Sequence, residues 1–190
     1  MKPNREHATN NAQSYFVTSL TWERRPLFRH QRWAELFIQS LYHYRETPYC
    51  LHEFVLMPDH FHLLITPKTS LERAVQLLKG GFSHRAKTEL HSNMEVWQRG
   101  FADHRIRDVA DYTNHVEYIH SNPVRKHLCA APQEYSYSSA NNKFLLDAAP
   151  QGLKPQFFFI LYGTAEAVPF QSTTLHRFHS SISFTKSLNR

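Results

Sequence analysis

Glycine is scarce in this chain of 190 residues: there are five, and Gly80-Gly81 is the one adjacent pair. A loop that wraps phosphates with backbone N–H groups needs several glycines at short intervals, so nucleotide-binding fingerprints of that kind are excluded. Cysteine is scarcer still, with Cys50 and Cys129 alone and no Cys-x-x-Cys spacing. That excludes a zinc ribbon and a disulfide framework, and it reads as two reduced thiols in a reducing compartment. Long apolar runs are missing. The run Phe157 to Tyr162 near the C-terminus falls far short of the roughly 18 residues needed to span a bilayer. The opening MKPNREHATNNAQ has no apolar stretch of the secretion-signal type. Repeats at solenoid periods and low-complexity blocks are lacking too. The expectation is a cytoplasmic protein with no membrane partner.

What is present is positive charge and histidine. Lysine and arginine number 22 against 16 acidic residues, a formal net charge of +6 with histidine neutral, and there are 14 histidines that could add charge locally. Such an excess favours polyanionic partners without proving one. Hydrophobic residues make up 41% of the chain, enough for one packed core. The length fits one domain, expected over 1–145. Residues 146–190 are expected to form an irregular extension, because Pro150, Pro155 and Pro169 break the pattern and Ser, Thr and His accumulate.

Tyr15 to Trp22 is rich in aromatic and β-branched residues and reads as a strand. Trp33, Phe37, Leu41 and Tyr44 recur at helical spacing, which predicts an amphipathic helix over 30–46. Residues 49–57 and 60–66 read as two strands joined at Pro58-Asp59, a turn pair too short for anything but a hairpin. Ser70 is a candidate N-cap for a helix running to about Leu90, interrupted or kinked at Gly80-Gly81. One or two short strands follow in 96–106. Asp108 then caps a helix over 109–121, expected to stop before Pro123. The order β, α, β, β, α, β, α with a central hairpin predicts an α+β fold, an antiparallel sheet with helices packed on it.

Strand alternation puts His60 and His62 on one face, and Phe61, Leu63 and Ile65 on the other. Two imidazoles on a rigid strand can hold a divalent ion. With 14 histidines, roughly one His-x-His arises by chance, so the spacing alone is weak. In the helix after Asp108, Val109, Tyr112, Val116 and Ile119 form an apolar stripe. Tyr118 lies on the flank instead, in one polar ridge with Asp111, His115 and Asn122. A core tyrosine belongs in the stripe; Tyr118 sits among groups suited to a metal or phosphate, and Asn122 offers an amide oxygen as a third ligand. Asp59 either orients a histidine or forms the turn, and Trp97 is either a base-stacking platform or a core residue.

The segments MPDHFHLLITP, VWQRGFADHRIRD and YTNHVEYIHSNPVRKHL, in this order, resemble the REP-associated tyrosine transposases, a domesticated bacterial branch of the single-tyrosine HUH transposases (IS200-like). The likeness covers about residues 14 to 140. It implies a sheet with the His-hydrophobic-His strand at its centre and the tyrosine helix beside it. It implies a divalent cofactor, Mg²⁺ or Mn²⁺, on His60, His62 and Asn122, with Tyr118 as the nucleophile. It further implies single-stranded or hairpin DNA of repetitive extragenic palindromes as substrate, cut through a 5′-phosphotyrosine link. Where the family has a glycine after Asn-Pro-Val-Arg, this chain has His127, which bears on the turn and not on the chemistry.

Basic residues expected along the DNA are Arg24 and Arg25 after the first strand, Arg99, Arg105 and Arg107 before the tyrosine helix, and Arg125 and Lys126 after it. Arg29, Arg32, Lys79, Arg85 and Lys87 extend that set. His115 and the metal are both candidates for favouring the Tyr118 phenolate. Two rival readings compete. One is a protein of the same fold that binds repeat DNA without cutting it. The other is a metallohydrolase with a metal-activated water, whose cleavage would survive Tyr118→Phe. Monomer and dimer are equally open.

Overall fold

A computed structural model describes residues 13–45, 47–150 and 153. These belong to one compact unit, Met1–Gln156. The elements are β1 (Tyr15–Leu20), α1 (Gln31–Tyr44), β2 (Tyr49–Met57), β3 (His60–Pro67), α2 (Leu71–Glu89), β4 (Ala102–Arg105) and α3 (Val109–Arg125). The strands form one sheet in the order β2-β3-β1-β4, with every pair antiparallel. The predicted α+β architecture is the observed one, and β3, carrying both histidines, is an inner strand.

The pleat sorts the sheet's residues into two cores. Val17, Phe54, Leu56, Phe61, Leu63 and Ile65 face α1 and α2, where they meet Phe37, Leu41, Leu78 and Phe82. Val55, Met57 and Leu64 face α3 and pack on Tyr112, Val116 and Ile119. The result is three layers, two helices on one side of the sheet and the tyrosine helix on the other. Trp97 closes the first core, 7% exposed, with its indole N–H donating to the Lys79 carbonyl at 3.1 Å. The register of β2 on β3 shifts between Leu51 and Glu53, a bulge at His52. The bulge turns Glu53 toward α3, where its carboxylate meets His120 Nε2 at 2.8 Å and Ser139 Oγ at 2.5 Å. That contact ties β2 to the helix two residues beyond Tyr118.

Three local expectations are corrected. Gly80-Gly81 does not interrupt α2, which runs unbroken from its Ser70 cap, whose hydroxyl accepts from Arg73 N–H at 3.2 Å. Gly81 instead admits the Tyr44 side chain, which a β-carbon there would strike, whereas Gly80 faces open space. Gly80→Ala should therefore stabilise by about 1 kcal/mol through helix propensity. Gly81→Ala should destabilise by about 1–3 kcal/mol through overpacking. Paired thermal melts check the opposite signs.

The second correction is that α3 does not stop before Pro123 but continues to Arg125. Proline lacks one N–H and so leaves one carbonyl of the preceding turn unpaired, a small loss so close to a helix end. The end itself is closed well. Leu128 N–H donates to Pro123 O and His127 N–H to Val124 O, both at 2.9 Å, the paired bonds of a Schellman motif. Asn122 therefore remains helical, one turn from Tyr118. His127 occupies the left-handed position at φ 56°, which costs an L-residue energy that glycine escapes. His127→Gly should raise stability by about 1 kcal/mol, measured by denaturant titration. Third, Val109 leaves the apolar stripe: it is exposed at the first turn, while Tyr112, Val116 and Ile119 are buried.

After α3 the chain returns along β2. Leu56 N–H donates to Tyr137 O at 2.8 Å, Ser139 N–H to Phe54 O at 2.9 Å, and the Tyr135 hydroxyl to Leu56 O at 2.9 Å. Asp147 then accepts from Leu51 N–H at 2.7 Å and pairs with Arg45 at 2.9 Å. Residues 146–150 thus lie on the body; all but Leu153 of the remainder to 190 lies outside the described residues.

Candidate active site

The sheet face toward α3 opens at one end into a cleft of about 600 Å³. His60 and His62 enter it from β3, Tyr118 and Asn122 from α3, and Lys126 from just beyond the end of α3. Alternation puts both histidines on one face of β3, helical spacing puts Tyr118 and Asn122 on one line of α3, and the packing of α3 on that sheet face brings the two sets together. The two imidazole centroids are 4.8 Å apart, and the Tyr118 ring lies edge-on to His62 at 5.2 Å. Phe16 of β1 stacks on His62 at 5.1 Å and touches Tyr118 at 5.8 Å.

Each histidine is held through Nδ1. His62 Nδ1 lies 2.7 Å from Thr18 Oγ1, its register partner on β1, and His60 Nδ1 lies 2.6 Å from Asp59 Oδ1. Burial would raise the Asp59 carboxyl, but hydrogen bonds and charge from His60 and Arg24 outweigh it and hold it below the usual range. It is an anion that fixes His60 with Nδ1 protonated. Asp59 also shapes the turn, since its carbonyl accepts from Thr21 N–H and the Thr21 hydroxyl, both at 2.9 Å. Burial, with His60 adding and Asp59 opposing, pushes the His62 imidazole down to about 3, so it is neutral near pH 7. Its Nε2 is buried and makes no hydrogen bond. A buried ring nitrogen without a partner is costly in a finished protein and natural in a ligand site. Two unprotonated imidazole nitrogens and the amide oxygen of Asn122, lining one cleft, make a ligand set that suits a divalent ion.

Tyr118 is 37% exposed, unusual for so large a ring, and the Arg125 guanidinium sits 5.6 Å above it. Arg24 and Lys126 line the cleft, as does Arg29. Arg24 also pairs with Asp59 at 3.3 Å. The remaining expected DNA contacts lie elsewhere. Arg25 pairs with Glu23 at 2.6 Å, Arg105 Nε donates to Gln13 at 2.7 Å, and Arg107 Nε donates to Asp111 at 3.2 Å. Arg99 is exposed on the loop after Trp97. His115 is not in the cleft: its Nδ1 bonds the Asp111 carbonyl at 2.8 Å, and its ring packs on Phe16 at 4.7 Å. Sequence reasoning missed Thr18 and Phe16. Their alternation in β1 was visible, but their pairing with β3 was not.

Sheet order, strand-borne imidazole pair and flanking tyrosine helix together make the single-tyrosine transposase fold. The chain belongs to the IS200-like transposase family, whose model matches residues 9–122, more than half of it. A Haemophilus influenzae protein provisionally named a REP-associated tyrosine transposase is 31% identical over 108 residues, 50% of this chain and 61% of that one. The REP-associated tyrosine transposase of Escherichia coli K12 is 28% identical over 98 residues, 50% of this chain and 56% of that one. The chain thus spans about three fifths of the length of these curated relatives. A solved structure of a REP-associated tyrosine transposase bound to a REP hairpin superposes with a TM-score of 0.61 at 21% identity, covering 82% of this chain and 94% of that one. At that identity the likeness speaks for the fold. No helix among the described residues is long and apolar enough to cross a membrane.

Proposed function

We propose that this protein is a REP-associated tyrosine transposase of the bacterial cytoplasm. It cuts and rejoins single-stranded hairpin DNA through a 5′-phosphotyrosine on Tyr118. The observation that carries the reading is the buried, unpartnered His62 Nε2 beside the ring of an exposed helical tyrosine, in one cleft. His60, His62 and Asn122 would hold Mg²⁺ or Mn²⁺. When bound, such an ion neutralises charge developing on the non-bridging oxygens of the scissile phosphate.

The chain's own groups do the rest. Tyr118 Oη attacks phosphorus, the Oη–P bond forms, and the bond from phosphorus to the 3′ oxygen breaks. The phenolic proton leaves to solvent and the departing oxygen takes one up, so the products are a tyrosyl 5′-phosphodiester and a free 3′-OH. Because the ester keeps the bond energy, attack by another 3′-OH rejoins strands without ATP. Arg24, Arg29 and Lys126 line the path of the phosphate backbone. Arg125, above the Tyr118 ring, adds positive charge where the phenolate develops.

Labelled single-stranded hairpin DNA incubated with the protein and Mn²⁺, then run on a denaturing gel, tests this. A covalent adduct that requires Tyr118 is the expected result. Tight hairpin binding with no adduct would leave a DNA-binding protein, and cleavage that survives Tyr118→Phe would indicate an activated water. Thr18→Val removes the partner of His62 Nδ1 and should weaken Mn²⁺ binding about 10- to 100-fold, read by calorimetry.

A further inference from the structure

A second cluster lies on the other side of the Phe16 ring. His104 of β4, with Asp111 and His115 of α3, forms the one group of three His, Cys, Asp or Glu ligand atoms within 4.8 Å of one another among the described residues. His104 Nε2 is 3.1 Å from Asp111 Oδ1, and His115 Nδ1 is 3.2 Å from the same oxygen. The two imidazoles stack at 4.8 Å with 20° between their planes. Both rings therefore turn a nitrogen to the Asp111 carboxylate, and His104 Nε2 also lies 2.9 Å from Oδ2. We infer that His104, Asp111 and His115 form a second divalent-metal site, of the zinc class, that joins edge strand β4 to the first turns of α3.

Three features favour an ion over a plain hydrogen-bonded cluster. The first is spacing. Tetrahedral coordination with bonds of about 2.0–2.1 Å sets ligand atoms about 3.3–3.4 Å apart, so the two nitrogen–oxygen separations at Oδ1 need little change, while the two nitrogens lie within 4.8 Å of each other. The second is outer support. Asp111 Oδ2 accepts from Arg107 N–H at 3.1 Å and Arg107 Nε at 3.2 Å, which fixes the carboxylate; His104 Nε2, 2.9 Å from the same oxygen, exchanges that contact for the ion on binding. The third is access. Asp111 is buried and the His115 side chain 21% exposed, but the His104 side chain is 41% exposed, so the cluster is open on the β4 side. His115 must give up its bond to the Asp111 carbonyl on binding, and the metal–nitrogen bond replaces it. Two imidazoles and one carboxylate suit zinc and its neighbours.

Phe16 separates this cluster from the His60–His62 pair, touching His115 at 4.7 Å and His62 at 5.1 Å. The two sites therefore hold separate ions and do not share one. Occupancy of the second would fix the His115 ring, and with it one wall of the Phe16 contact that supports Tyr118.

Zinc titration of the full chain against a chromophoric chelator tests the inference. In a His60→Ala/His62→Ala chain, one equivalent of zinc should remain bound and should raise the melting temperature. Adding His104→Gln, or separately His115→Gln, should remove that equivalent or weaken it at least tenfold, with the metal-free melting temperature reporting that each variant still folds. The inference is overturned if the chain lacking His60 and His62 takes up no zinc. It is equally overturned if folded His104→Gln and His115→Gln variants keep the same stoichiometry and affinity.

Discussion

Tyr118→Phe should abolish the covalent protein–DNA adduct and slow strand cleavage at least about a thousandfold, while hairpin binding changes less than about twofold. The substitution removes one oxygen and leaves the ring, so its contacts with His62 at 5.2 Å, Phe16 at 5.8 Å and the Arg125 guanidinium at 5.6 Å persist. Stability should barely move, since the ring is 37% exposed and its hydroxyl is not part of either core. Tyr112 is the control on the same helix. It is 3% exposed in the core beneath α3, and burial, with the Glu53 charge adding, raises its hydroxyl well above the usual phenol range. Buried, it remains a neutral phenol with no access to a phosphate, so Tyr112→Phe should leave adduct formation intact. Adduct yield in the two variants, measured side by side on denaturing gels, separates a specific nucleophile from general damage to α3. Equal loss in both would sink the assignment.

The different placement of these tyrosines, one in the core and one at the cleft, was readable from spacing, because a helix repeats every 3.6 residues and Tyr112, Val116 and Ile119 share a stripe that Tyr118 does not. The same holds for His60 and His62, whose alternates Phe61, Leu63 and Ile65 all lie in the opposite core. What stayed hidden depended on partners far along the chain. Thr18 meets His62 only because β1 lies beside β3 in one register out of several. Gly81 reads locally as a helix breaker, yet its role is set by the Tyr44 side chain arriving from α1. Pro123 reads as a stop, but a left-handed His127 and two well-aligned bonds finish the helix one turn later. The ridge of Asp111, His115, Tyr118 and Asn122 was legible as a line and not as a set of destinations. Asp111 and His115 turn toward β4, while Tyr118 and Asn122 turn toward β3. Charged residues were the least legible, because Arg25, Arg105 and Arg107 each find an intramolecular partner that composition cannot reveal.

His62→Ala should cost at least about a hundredfold in Mn²⁺-dependent cleavage, more than loss of either outer-shell partner. His62 is the more deeply set of the pair, 5% exposed, and holds the one buried nitrogen in the cleft that has no hydrogen-bond partner. Because the ring is neutral near pH 7, no imidazolium proton has to be lost before it can donate a lone pair. Removing the ring also deletes the stack on Phe16 and the edge contact to Tyr118, so a stability loss of about 1–3 kcal/mol accompanies the chemical one. His62→Gln sorts the two effects, since it fills part of the cavity and retains a polar donor without restoring imidazole geometry. If the ring acts through a metal, both variants lose cleavage, and saturating Mn²⁺ no longer raises their melting temperature as it does that of the unmodified chain. If it acts only by packing, His62→Gln should recover cleavage in step with stability, and that recovery would remove the metal from the proposed mechanism.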